Sequence, residues 1–106
     1  MNRFHHIDPL GLDELRRTQS CELIDVRTDE EVKRGMIAGA RHIPLHALAS
    51  RLEEITSDCP VVFYCQSGAR SMQASAFLAG KGYFPVYNLT GGVMAWARSG
   101  LPLVSP

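Results

Sequence analysis

An α/β architecture, a central parallel sheet flanked by helices on both faces, is predicted by three features of this chain. Short apolar runs alternate with amphipathic stretches from end to end, the pattern of parallel strands joined by helical crossovers. The run Val61-Val62-Phe63-Tyr64 is too short for a helix and rich in β-branched and aromatic side chains, which marks a buried central strand. Helix-start signals, Asp8-Pro9 and Thr28-Asp29-Glu30-Glu31, directly follow strand-like runs. The length of 106 residues fits one domain, expected to span residues 1–106, with a core that needs no disulfide staples.

In chain order, residues 4–7 read as a short first strand, and Asp8 then caps a helix with Pro9 at its first position and Leu12 and Leu15 on one face. Residues 21–26 read as a buried strand. Thr28 and Glu31 form a capping box for a short helix that Gly35 stops. A weak strand at 40–43 ends at Pro44, and Leu45, Leu48, Leu52 and Ile55 recur at helical spacing through the following element, up to Thr56-Ser57-Asp58. After the Val61–Tyr64 strand come a helix at 71–81, a strand at Val86–Leu89, and a last helix that leaves the Thr90-Gly91-Gly92 turn carrying Met94, Trp96 and Ala97. Trp96 is assigned to the core, and Met36, Met72 and Met94 to filling gaps.

Composition excludes several classes of function. The 45% hydrophobic and 21% charged content belongs to a folded protein rather than a disordered one. Eleven basic and eleven acidic residues, with no long run of either sign, leave no electrostatic footprint for nucleic acid or an anionic membrane surface. No segment approaches the ~18 apolar residues of a membrane span, and the Met1-Asn2-Arg3-Phe4-His5-His6 start lacks a signal peptide's apolar stretch, so the expected location is cytoplasmic. Three cysteines, Cys21, Cys59 and Cys65, form no CxxC pair and suggest neither a disulfide framework nor a zinc cage. The dispersed histidines His5, His6, His42 and His46 show no metal-site spacing, and no metal or cofactor is expected.

The chemistry concentrates at Cys65-Gln66-Ser67-Gly68-Ala69-Arg70, between the central strand and the helix after it. Ligands of open α/β sheets bind beyond the carboxyl ends of strands, where this segment falls. The first N–H groups of a helix have no intrahelical partners and, with the helix dipole, favour negative charge. A thiol there ionises readily, and the thiolate is the nucleophile. Gly68 permits a tight curl or a positive φ. Gln66, Ser67 and Ala69 are expected to act mainly through their backbone. Arg70 is left with two roles, binding a donor's anionic group or pairing with a carboxylate such as Asp25 or Glu31. Asp25 and Arg27, at the end of another strand, are expected to brace the loop rather than react. Cys21 and Cys59 lack such a loop and read as structural.

Four landmarks, taken in order, resemble the single-domain rhodanese family of sulfurtransferases: Leu23-Ile24-Asp25-Val26-Arg27, Gly35-Met36-Ile37-Ala38-Gly39-Ala40 with Ile43-Pro44, the Cys65 to Arg70 loop, and Leu89-Thr90-Gly91-Gly92 with Trp96. Met36 and Ala38 stand where the family usually has His and Pro, in a connecting segment that carries none of the sulfur chemistry. The resemblance implies a sheet of about five parallel strands. It implies that Cys65 takes the outer sulfur of thiosulfate or a persulfide donor, carries it as a persulfide, and passes it to a thiol or another nucleophile, with cyanide as the laboratory acceptor. Family members adapted to thiosulfate often carry basic residues in the loop, whereas Arg70 is its only charge here, which leaves room for a protein or low-molecular-weight persulfide. A protein thiol as donor or acceptor fits the same reading.

Two other readings use the same residues. A non-catalytic protein-binding module would share the fold, but silent members are expected to lack the cysteine. Phosphatases and arsenate reductases of related architecture place one residue more between cysteine and arginine, to cradle a tetrahedral oxyanion. The four residues from Gln66 to Ala69 make a smaller ring, suited to a single sulfur atom.

Overall fold

Strands buried on both faces need helices on both sides, and the chain alternates the two. The computed structural model describes residues 3–106; Met1 and Asn2, part of the N-terminal stretch read above for a signal peptide, lie outside the described residues. The first half runs β1 (His5–Ile7), α1 (Pro9–Thr18), β2 (Glu22–Asp25), α2 (Asp29–Val32), β3 (Met36–Ile37) and β4 (Arg41–His42), followed by two 3₁₀ helices at Leu45–Ala47 and Ala49–Glu54. The second half runs β5 (Val61–Tyr64), α3 (Ala69–Gly80), β6 (Val86–Leu89), α4 (Gly92–Arg98) and β7 (Leu103–Val104). Five parallel strands form the main sheet in the order β1-β6-β5-β2-β4, with β5 in the centre as its apolar sequence requires.

The two-residue period of β5 divides the core. Val61, Phe63 and Cys65 point to one face, where Ile24, Val26, Ala74, Leu78 and Val86 pack around them under α3 and the 3₁₀ helices. Val62 and Tyr64 point to the other, where Leu12 of α1 and Val93 and Trp96 of α4 cover Leu23 and Leu89. Trp96 is buried there, and its indole N–H donates to the Pro102 carbonyl at 2.9 Å. Both predicted helix starts form. Asp8 accepts from the Gly11 N–H at 2.8 Å, and the Thr28–Glu31 capping box closes with 3.3 Å and 3.0 Å bonds.

Four expectations need correction. Leu45 to Ile55 is not one α-helix: its backbone bonds are of the i to i−3 kind, and Arg51 leaves helical geometry at φ −116°, ψ 20°. The leucine spacing allowed this, because steps of three residues stack on one side of a 3₁₀ helix too. Arg51 is held off the helix by paired bonds to Glu54 at 2.9 Å and a bond to the His42 carbonyl. The segment around Met36 is no mere connector, since Met36 and Ile37 pair antiparallel with Val104 and Leu103. Two-residue strands joined across most of the chain carry no periodicity to read. The helix after β5 starts at Ala69, two residues earlier than expected, because Gly68 serves as its cap. Met36 is buried, but Met72 and Met94 stand exposed on the outer faces of α3 and α4.

Tyr64 ties the small ribbon to the sheet: its buried hydroxyl oxygen accepts from the Ile37 N–H at 3.0 Å. Tyr64→Phe leaves that buried donor unmet, so unfolding free energy should fall by about 1–3 kcal/mol. Urea denaturation checks this, and an unchanged midpoint would contradict it.

Candidate active site

Parallel register brings the ends of β2 and β5 side by side. Asp25 lies opposite Tyr64, and the Val26 N–H donates to the Tyr64 carbonyl at 3.0 Å, so the residues after both strands open at one sheet edge. Cys65 is the first residue past β5, buried, with its side chain on the α3 face. The chain then curls back to Gly68, whose φ of +119° is one that residues with a Cβ rarely adopt. The Gly68 N–H points at Cys65 Sγ at 3.1 Å.

The curl is imposed from outside the loop. The Val93 N–H donates to the Cys65 carbonyl at 2.9 Å, and the Met94 N–H to the Gln66 carbonyl at 3.2 Å. These are first-turn donors of α4, which have no partner inside their own helix. With both carbonyls turned out toward α4, the following N–H groups face the sulfur. The approach is so close that a Cβ on Gly92 would lie 2.5 Å from the Cys65 carbonyl oxygen. Gly92 is therefore a fitted contact, not a loose hinge.

Ser71, on the first turn of α3, completes the cradle. Its Oγ lies 3.5 Å from Cys65 Sγ, 3.0 Å from the Gly68 carbonyl oxygen, and against the buried Asn88 Oδ1. Asn88 Nδ2 in turn sits 3.3 Å from His6 Nδ1. Burial pushes the Cys65 thiol up. The Ser71 hydroxyl and the backbone N–H groups of Ser71, Gly68 and Ser67 outweigh it and bring the thiol below its ordinary range. The backbone N–H groups that face the sulfur are thus those of Ser67, Gly68 and Ser71.

Two arginines at the loop, Arg27 and Arg70, are matched to carboxylates. Arg27 forks onto Asp25, its Nε 3.1 Å from both oxygens and its Nη2 2.8 Å from Oδ2, and both residues are buried. The remaining Arg27 donors reach the Gly35 carbonyl at 2.7 Å and the Gln66 Oε1 at 3.5 Å, and the guanidinium stands 5.7 Å from the centre of the Tyr64 ring. Gln66 therefore uses its side chain as well as its backbone. Arg70 pairs bidentately with Glu31, not with Asp25, at 2.7 and 2.8 Å. The Arg70 guanidinium is the main reason why the Glu31 carboxyl is held down at about 2.

Three cavities ring the loop. One of about 330 Å³ is lined by His6, Ser67, Gly68, Ala69, Met72 and Asn88, among others. One of about 260 Å³ lies between Val26, Thr28, Pro44, His46 and Arg70, and one of about 170 Å³ meets Arg27, Arg34, Gln66 and Met94. Among the described residues no three His, Cys, Asp or Glu side chains converge as metal ligands, and no helix is long and apolar enough to cross a membrane. Cys21 and Cys59 are free and half-buried, at the opposite ends of β2 and β5 from the loop.

Sequence reasoning placed Cys65, Gln66, Ser67, Gly68, Ala69 and Arg70 together and brought Asp25 and Arg27 beside them. It missed Ser71, Asn88 and the Gly92 contact. Ser71 carried a readable signal, a hydroxyl one residue beyond the loop in the first turn of the helix. Asn88 carried a weaker one, a polar residue within an apolar strand.

Replacing Ser71 with Ala removes the side-chain donor but leaves the backbone cradle. The pH midpoint of Cys65 alkylation by iodoacetamide should move upward in that variant. A profile that superposes on the wild type would contradict the role of the hydroxyl.

Residues 9–99 match the family described as Rhodanese-like domain. A sulfurtransferase from Allochromatium vinosum is 50% identical over 92 residues, covering 87% of this chain and 86% of that protein. The thiosulfate sulfurtransferase GlpE of Pseudomonas putida is 33% identical over 96 residues, covering 91% of this chain and 87% of that one. Among solved structures, the rhodanese-related protein from Thermoplasma volcanium superposes with a TM-score of 0.87 at 28% identity, covering 94% of this chain and 97% of that chain. The reduced Bacillus anthracis CoADR-RHD superposes with a TM-score of 0.83 at 36% identity over 89% of this chain, which spans only 16% of that longer protein.

Proposed function

This chain belongs to the rhodanese-like domain family, in which similar proteins are named sulfurtransferases, and we propose that it transfers sulfane sulfur through a persulfide on Cys65. The observation that carries this reading is the Gly68 N–H aimed at Cys65 Sγ at 3.1 Å, in a loop whose outward carbonyls are bound by α4. Such a cradle favours an anionic sulfur, whether the resting thiolate or the persulfide formed from it.

With thiosulfate, the Cys65 thiolate attacks the outer sulfur; a Cys65 Sγ–S bond forms, the S–S bond of the donor breaks, and its electron pair leaves on sulfite. With a persulfide donor, the terminal sulfur and its proton pass to Cys65, and the donor departs as a thiolate. An acceptor thiolate then attacks the outer sulfur of the Cys65 persulfide, and Sγ leaves as the thiolate that began the cycle. Cyanide as acceptor would yield thiocyanate by the same displacement. In this reading Gln66, Ser67, Gly68 and Ala69 form the loop around the transferred sulfur, Ser71 adds a hydroxyl donor, and Asp25 and Arg27 brace the loop from the neighbouring strand end. No metal or cofactor enters any step.

A second reading, a docking module without turnover, draws on the exposed Met72 and Met94, which line cavities on two sides of the loop. Intact-mass measurement separates the two. Brief incubation with thiosulfate, or with glutathione persulfide, should add one sulfur, about 32 daltons, to the wild type and nothing to Cys65→Ser. A folded, reduced protein that gains no mass from either donor would favour the docking module.

A further inference from the structure

The only charge in the loop is already matched, and the residue that matches it is anchored independently. Both oxygens of Glu31 accept from Arg70, and Oε1 also accepts from the Thr28 N–H at 3.0 Å and the Thr28 hydroxyl at 3.1 Å. Glu31 is thus fixed by the cap of α2 before it meets Arg70, and the side chain of the pair's carboxylate is 22% exposed against 33% for its arginine. Its carboxyl, held at about 2, is ionised wherever a thiolate exists. Arg27, the other guanidinium in contact with the loop, is bound to Asp25 and the Gly35 carbonyl. At Cys65 a donor therefore meets backbone N–H dipoles and two neutralised ion pairs, with the exposed Arg34 in the cavity beside Gln66.

This matters because donors differ in charge at the end that does not transfer. Thiosulfate presents a sulfonate beside its reacting sulfur and departs as a sulfite dianion. A thiol persulfide presents a carbon chain there and leaves a single negative charge on sulfur. A free guanidinium at the loop would favour the first, in the bidentate manner by which arginine holds oxyanions. We propose that Glu31 is a specificity-determining residue: by occupying Arg70 it lowers the preference of the site for thiosulfate relative to a thiol persulfide. The inference rests on the sulfurtransferase reading of Cys65. It assigns Glu31 no contact with the transferred sulfur, only control over whether Arg70 is available.

Glu31→Gln is a clean test, because glutamine serves the capping box as glutamate does and so keeps the bonds to Thr28 while losing the charge. The rates at which Cys65 is loaded by thiosulfate and by glutathione persulfide, whose carboxylates lie far from its reacting sulfur, are compared as a ratio. The ratio should rise about tenfold in Glu31→Gln and shrink again as salt is added. It should return to the wild-type value or below when Arg70→Gln is combined with Glu31→Gln. The wild type supplies an independent reading: between about 20 and 500 mM ionic strength its thiosulfate loading should fall less steeply than that of Glu31→Gln, since Arg70 is occupied in it and the exposed Arg34 is common to both. An unchanged or lower ratio in Glu31→Gln, or a loss with salt as steep in the wild type as in Glu31→Gln, would overturn the role of Glu31. Failure of both donors to load wild-type Cys65 would instead remove the sulfurtransferase reading on which it rests.

Discussion

Two backbone hydrogen bonds, from Val93 to the Cys65 carbonyl and from Met94 to the Gln66 carbonyl, set the shape of the loop on which the proposed chemistry depends. Each uses a first-turn donor of α4 that its own helix cannot satisfy. Each also removes a carbonyl from the space around the sulfur, where its negative end would oppose a thiolate. The cradle is therefore built as much by what α4 takes away as by what α3 presents. The requirement propagates outward: α4 must lie within contact of the loop, which only a residue without a Cβ at Gly92 allows, and β6 must run beside β5 to deliver that helix to the right place. The parallel sheet, with β5 at its centre, is the frame that aligns these parts at one edge.

Charge around the loop is arranged in closed pairs. The Asp25–Arg27 pair is buried, and breaking such a pair by deleting one partner leaves an uncompensated charge in the core, a cost of about 3–5 kcal/mol. The pair also gives β2 a rigid end against which Gln66 rests. The Glu31–Arg70 pair lies nearer the surface and contributes less to stability, yet it stands at the mouth of the site, where occupancy of a guanidinium alters which anions are attracted. One pair thus bears on the form of the loop and the other on its electrostatics. The neutral formal charge of the chain is repeated in these two pairs, Arg27 with Asp25 and Arg70 with Glu31.

Most of the fold was legible because its signals are local. The all-apolar run of β5, the Asp8-Pro9 start and the Thr28–Glu31 capping box each state their structure within a few residues. The cysteine loop was legible for the same reason, as a strand end followed by glycine and a helix. What escaped depends on distant partners. The β3–β7 ribbon joins two dipeptides from far-separated parts of the chain, and the 3₁₀ geometry near Arg51 follows from bonds to Glu54 and His42 that its leucine spacing does not encode. The choice of Glu31 over Asp25 as the partner of Arg70 was likewise open in sequence. It is decided by Asp25 being fully engaged with Arg27, while the α2 cap turns Glu31 toward the loop.

The central claim is that backbone N–H groups of the loop hold an anionic sulfur on Cys65, and amide resonances of a ¹⁵N-labelled sample followed across a pH titration test it most directly. The account predicts that the amide signals of Ser67, Gly68 and Ser71 move together with one midpoint, below the ordinary thiol range of about 8.5, and that the transition is absent in Cys65→Ser. Amides that do not respond, or a shared midpoint at or above the ordinary thiol value, would contradict it.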